Sequence, residues 1–179
     1  MDDELETERL WLRRWRPDDL ERLVALYSDP LVVRYINREG GPLPHQVSVD
    51  TFESFVRQWE ELGFGPWAVV EKASGRWIGE LGLNELPDWP GPDRIEVGWE
   101  LDPSVWGRGL ATEGGRAAVG YGFKVVGLER IISVTVPANA ASRRVMDKCG
   151  LSYQGEQEYR HTTVVWYAVD RGDWPTNRS

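Results

Sequence analysis

The residues best placed to do chemistry lie in one short segment, Trp106-Gly107-Arg108-Gly109-Leu110-Ala111-Thr112-Glu113. Gly107 and Gly109 let the main chain turn tightly and let a ligand approach its amides. The helical pattern that follows aims unpaired N–H groups and the positive end of a dipole at the turn. That is an anion site suited to a diphosphate. Arg108 adds a charge beside it. The plainer alternative is a loop whose glycines serve only the turn. Neighbouring residues separate the ligand classes. A P-loop needs Gly-Lys-Ser/Thr after four spacers, which is absent. A dinucleotide fingerprint needs a third glycine where Thr112 stands. It also belongs on the first strand of its unit, whereas this turn follows a hairpin. The diphosphate of an acyl-coenzyme A remains.

Composition narrows the partners. Over 179 residues the net charge is −8, which disfavours nucleic acid, because its binding runs on clustered positive charge. Backbone amides reconcile an acidic chain with an anionic ligand. A single cysteine, Cys149, excludes an intrachain disulfide and a cysteine zinc site. His45 and His161 have no ligand-like spacing, so no metal is expected. Apolar runs fall far short of the roughly 20 residues of a membrane span. The acidic start Met1-Asp2-Asp3-Glu4 is unlike a secretory signal. A cytoplasmic protein away from membranes is therefore expected. Ten tryptophans leave some to line a pocket.

The elements that must hold the turn read as one mixed α/β domain over residues 1–179. Strands are expected at 9–15, 67–72, 77–86, 95–101, 130–136, 151–154 and 163–169. In 95–101, apolar Ile95, Val97, Trp99 and Leu101 alternate with Glu96, Gly98 and Glu100. A helix opened by Pro17 puts Leu20, Leu23, Val24 and Tyr27 on one face. A short helix follows Asp29-Pro30, and another, at 48–62, turns Phe52, Phe55, Val56, Trp59 and Leu62 inward. Residues 110–126 read as helical despite four glycines, and 139–149 as a helix ended by Gly150.

Four blocks, in this order and on these elements, resemble the GNAT N-acetyltransferase superfamily. The branch is that of the enzymes acetylating ribosomal-protein N-termini at alanine or serine. The blocks are Thr7-Glu8-Arg9-Leu10-Trp11-Leu12-Arg13, Glu96-Val97-Gly98-Trp99-Glu100-Leu101-Asp102-Pro103, the glycine turn, and Asn139-Ala140-Ala141-Ser142-Arg143-Arg144-Val145-Met146-Asp147-Lys148-Cys149-Gly150. The resemblance spans about 7–174. It implies the GNAT acyl-CoA N-acyltransferase fold, a mostly antiparallel twisted sheet splayed at the coenzyme A site and flanked by helices. It implies that residues 106–112 hold the diphosphate. Gly109 and Ala111 take the last two places of the family's Arg/Gln-x-x-Gly-x-Gly/Ala motif; Trp106 takes the first, which removes one side-chain contact. Trp99, Glu100 and Leu101 are implied to pair with the pantetheine arm. A bulge near Gly98 or Trp99 would turn an N–H to the acetyl oxygen. Asn139, Ser142 and Lys148 would complete the cofactor contacts, with Arg143 and Arg144 near the phosphates.

Acetyl transfer to an amine needs a polarised carbonyl, a base, a proton for the thiolate and alignment. Glu96, near the implied reaction centre, is the expected base, ahead of Glu100 and Glu80; a water chain is the alternative. The tyrosine acid of many members, seven residues after Asn139, is Met146 here. Ser142 is the substitute the branch suggests, and its plainer role is a local bond to backbone. Tyr35, Trp67, Glu80 and Trp99, with loop 37–44 and Phe64-Gly65-Pro66, form the expected acceptor wall. Aromatic rings and negative charge there suit a cationic amine, such as a basic peptide N-terminus or a polyamine-like molecule. The expectation is an acetyl-CoA-dependent N-acetyltransferase, monomer or homodimer, acting by direct transfer in a ternary complex. Its rivals are a non-catalytic acyl-CoA-binding protein, a nucleotide-cofactor oxidoreductase, and a transferase of succinyl or other acyl groups.

Overall fold

Among the described residues, alternating and β-branched segments build eight strands: β1 (Leu5–Glu6), β2 (Leu10–Arg13), β3 (Pro66–Glu71), β4 (Trp77–Glu85), β5 (Ile95–Leu101), β6 (Arg130–Thr135), β7 (Ser152–Tyr159) and β8 (Thr162–Asp170). The computed structural model describes residues 3–36 and 41–174. The strands form one sheet in the order β1-β2-β3-β4-β5-β6-β8-β7. Neighbours are antiparallel except β5 and β6, which run parallel. Two residues are too few for alternation to register, so β1 escaped the sequence pattern. β7 runs past the expected end at 154 because its pairing with β8 resumes after a register shift between Tyr153 and Gly155.

Among the described residues, five α-helices accompany this sheet: α1 (Asp19–Tyr27), α2 (Pro30–Val33), α3 (His45–Leu62), α4 (Leu110–Tyr121) and α5 (Ala140–Lys148). α1 is tied to β2 by a buried two-point ion pair, Arg13 to Asp19, at 2.6 and 2.8 Å. α3 starts at His45 rather than 48, since Pro44 caps it and accepts from the Val47 amide at 2.9 Å. α4 gives way after Tyr121 to a wider π turn, Gly122–Val126. Its glycines permit close packing. A Cβ on Gly114 would lie 2.7 Å from Leu81 Cδ1, and one on Gly115 2.8 Å from Cys149 Sγ. Glycine in a helix interior costs about 1 kcal/mol relative to alanine, and here it seats α4 against β4 and α5. Leu10, Leu12, Trp59, Trp67, Leu81, Leu83 and Val97 belong to the main core.

The sheet divides between β5 and β6. They share a single register pair, Glu96 with Ile132. Next to it, buried Ser133 donates its hydroxyl to the Val97 carbonyl at 2.8 Å. Beyond that point Gly98, Trp99, Glu100 and Leu101 on one strand and Val134 and Thr135 on the other line a common cleft. The bulge expected at Gly98 or Trp99 is not present. β4 and β5 pair without a shift from Gly79 opposite Leu101 to Glu85 opposite Ile95. Gly98 faces Gly82 across this ladder, so no extra residue is needed there. The strand gains its free edge on the β6 side.

Candidate active site

The cleft has a volume of about 1340 Å³. One end of it is made largely by main chain. Gly107 and Gly109 adopt φ +75° and +80°, the left-handed region that favours glycine. Gly109 is the N-cap of α4, and no side chain caps that helix. The first amides of α4 therefore lack intrahelical partners, while the Glu113 amide bonds the Gly109 carbonyl at 3.0 Å. Trp106, Gly107, Gly109, Leu110, Ala111 and Thr112 line the cleft. Uncapped amides at a helix start are the donor set a diphosphate requires, so these residues fit coenzyme A.

Arg108 departs from expectation. Its guanidinium pairs with Glu71 and does not line the cleft. The cationic side chains that line the cleft near this end are instead Arg144 and Lys148, which share a face of α5, with Asn139, Ser142 and Val145 beside them. Cys149 Sγ lies 3.7 Å from the Thr112 carbonyl, so the end of α5 that carries Lys148 adjoins the start of α4. Arg143 turns away to the Tyr167 hydroxyl at 3.1 Å. The Asn139 side-chain oxygen caps α5 by accepting from the Ser142 amide at 3.1 Å. Burial pushes the Cys149 thiol up to about 12, which leaves it unreactive.

At the other end stand carboxylates. Glu80, Glu96 and Glu100 all line the cleft, and Glu80 faces Glu100 across the β4–β5 ladder. Glu80 is 4% exposed and accepts a bond from the Tyr27 hydroxyl at 3.4 Å. Burial, then the Glu100 charge, hold Glu80 well above the ordinary carboxylate range. Glu96 is pushed up to about 8, first by burial and then by Glu100, against a pull from the Val134 amide. Tyr27 is the site residue that sequence reasoning missed. Its place on the apolar face of α1 marked it as core, and its hydroxyl gave no periodic signal.

Tyr35 and Trp99 line the cleft. Trp67 does not. It is fully buried, wedged edge-on between Trp59 and Tyr121, with centroids 5.4 and 5.1 Å away. Its place in β3 turns it to the core, and its indole N–H is satisfied by the Asp3 carbonyl at 2.8 Å. Phe64, Gly65 and Pro66 also stay off the cleft. Residues 37–40 of the expected acceptor loop lie outside the described residues.

The raised carboxyl of Glu80 has a consequence for stability. A group whose pKa is raised on folding costs nothing below its ordinary value of 4.5 and destabilises the fold increasingly as pH rises above it. Glu80→Gln is uncharged at every pH. Its melting temperature is expected to exceed the wild type's by a margin that widens from about pH 5 to about pH 9. A constant margin in thermal melts would contradict this environment.

Residues 9–152 match the acetyltransferase (GNAT) domain. The chain belongs to the GNAT acetyltransferase family. This GNAT acetyltransferase is 35% identical over 184 residues to the FsC-acetyl coenzyme A-N(2)-transacetylase of Aspergillus fumigatus, covering 95% of this chain and 77% of that protein. It is 32% identical over 151 residues to the uncharacterized N-acetyltransferase YoaA of Bacillus subtilis, covering 84% of each. The crystal structure of an acetyltransferase from Agrobacterium tumefaciens superposes with a TM-score of 0.82 at 25% identity, covering 93% of each chain. GNAT acetyltransferases draw on acetyl-CoA and act on amine acceptors. Among the described residues, no group of three His, Cys, Asp or Glu is gathered to hold a metal, and no helix is long and apolar enough to cross a membrane.

Proposed function

We propose that this protein moves an acetyl group from acetyl-CoA to a primary amine by direct attack in a ternary complex. The observation that carries the reading is that the uncapped amides of α4 open on the same cleft as Glu96. Acetyl-CoA supplies the activated acyl carbon. Amides of residues 107–112 bind its diphosphate, and Arg144 and Lys148 offer charge to the nucleotide end. The free edge of Trp99, Glu100 and Leu101 aligns the pantetheine arm as an added strand would be aligned. The acceptor attacks as the neutral amine, and Glu96 takes the proton that its nitrogen sheds as the C–N bond forms; a base with pKa near the working pH is the most effective kind. As the C–N bond forms and the C–S bond breaks, Ser142 gives a proton to the leaving sulfur and regains one from solvent.

Three features support a cationic acceptor, whether a basic peptide N-terminus or a small polyamine. Glu80, Glu96 and Glu100 share the cleft, Tyr35 and Trp99 add rings beside them, and the net charge is −8. Thiol release from acetyl-CoA over a panel of peptides and diamines tests the reading; a binding-only protein would release none. Ser142→Ala is expected to lower turnover about 100-fold while coenzyme A affinity stays nearly unchanged. Unchanged turnover would leave Ser142 with only its local bonds.

A further inference from the structure

We propose that Arg9, held by Glu113, is a positioning residue that aims the diphosphate-binding amides from behind the turn; the inference rests on the diphosphate reading of residues 107–112. Neither side chain lines the cleft. Glu113, in the first turn of α4, accepts from the Thr7 hydroxyl at 2.6 Å and the Arg9 amide at 2.7 Å through Oε1, and from Arg9 Nε at 2.6 Å through Oε2. That fixes the guanidinium with both Nη nitrogens to spare. Arg9 Nη1 donates to the Arg108 carbonyl at 2.9 Å, and a Cβ on Gly109 would lie 3.6 Å from Nη2.

The geometry of a peptide plane gives this contact its meaning. The Arg108 carbonyl and the Gly109 amide belong to one trans peptide, so they point in opposite directions. Drawing the carbonyl back to Arg9 drives the Gly109 N–H the other way, and Gly109 lines the cleft. Without that anchor, two consecutive flexible turns at Gly107 and Gly109 leave the plane free to rotate. An exposed ion pair alone is worth little, about 0–1 kcal/mol, and the Arg9 side chain is 43% exposed. The bond to the carbonyl separates a positioning role from a decorative one. Only a planar fork serves the Glu113 carboxylate and the carbonyl together; lysine offers a single point charge.

The test compares coenzyme A with pantetheine, which shares the arm but has no diphosphate. In calorimetric titration of Arg9→Ala, the coenzyme A dissociation constant is expected to rise about tenfold or more, as for supporting residues around other binding groups. Pantetheine affinity, followed by NMR, is expected to stay within about twofold. Arg9→Lys should bind coenzyme A as weakly as Arg9→Ala, and Glu113→Gln should shift in the same direction, which keeps the proposal testable if one variant fails to fold. Unchanged coenzyme A affinity in folded Arg9→Ala, an equal loss for both ligands, or full recovery with lysine would overturn the role of Arg9. A wild-type protein that bound both ligands equally would instead overturn the diphosphate reading.

Discussion

Gly109→Trp is expected to weaken coenzyme A binding by at least about 100-fold, the scale of losing two charge-assisted hydrogen bonds. Two effects add. At φ +80° a residue with a side chain carries about 1–2 kcal/mol of strain, which shifts the turn away from its present shape. The indole would also start beside Arg9, whose Nη2 would lie 3.6 Å from the new Cβ, and would press on the guanidinium that draws back the Arg108 carbonyl. Gly109 is exposed, so the core is untouched, and the melting temperature should fall by only a few degrees, in line with such strain. Calorimetric titration with coenzyme A measures the first quantity and a thermal melt the second. Wild-type affinity in a folded variant would refute the amide cradle.

Glu96→Gln should lower turnover by about 100-fold or more, the usual contribution of a general base. Its pH profile is the sharper readout. The Glu96 carboxyl is pushed up to about 8; below that value it holds its proton and cannot take another. The wild-type kcat/KM should therefore climb as pH passes through about 8 and level off above it. The glutamine variant should follow only the fraction of free amine in the acceptor. Two acceptors of different basicity separate the contributions, because the enzyme's limb stays in place while the amine's limb moves. A wild-type limb that tracks the acceptor alone would remove Glu96 from the chemistry.

What the sequence displayed, and what it hid, follows from how far each signal reaches. The glycine turn was legible because Gly107 and Gly109 serve a local backbone conformation, and the alternation of 95–101 placed Glu96 and Glu100 on one side of a strand. The direction of Arg108 was not legible. Its partner, Glu71, lies 37 positions away, and no local pattern reports such a pairing. Trp67 misled for a related reason. A large aromatic residue next to a loop reads equally well as pocket wall or as core, and only packing against Trp59 and Tyr121 decides. The raised Glu96 carboxyl likewise depends on burial and on Glu100, both tertiary facts. Helix α4 carried its glycines as a weakness of local propensity, and their purpose became visible only with Leu81 and Cys149 pressed against them.

The hydroxyl of Ser133 on the Val97 carbonyl acts as a rivet at the crotch of the fork. Unzipping β5 from β6 by one more residue would strip a buried acceptor of its partner, at a cost of about 1–3 kcal/mol. The slot therefore has a floor. If acetyl-CoA lies along β5 as proposed, a longer acyl chain meets this stop and gains nothing by pushing deeper into the sheet. On that reading, choice among donors falls to the part of the cleft that Glu80, Glu96 and Glu100 line.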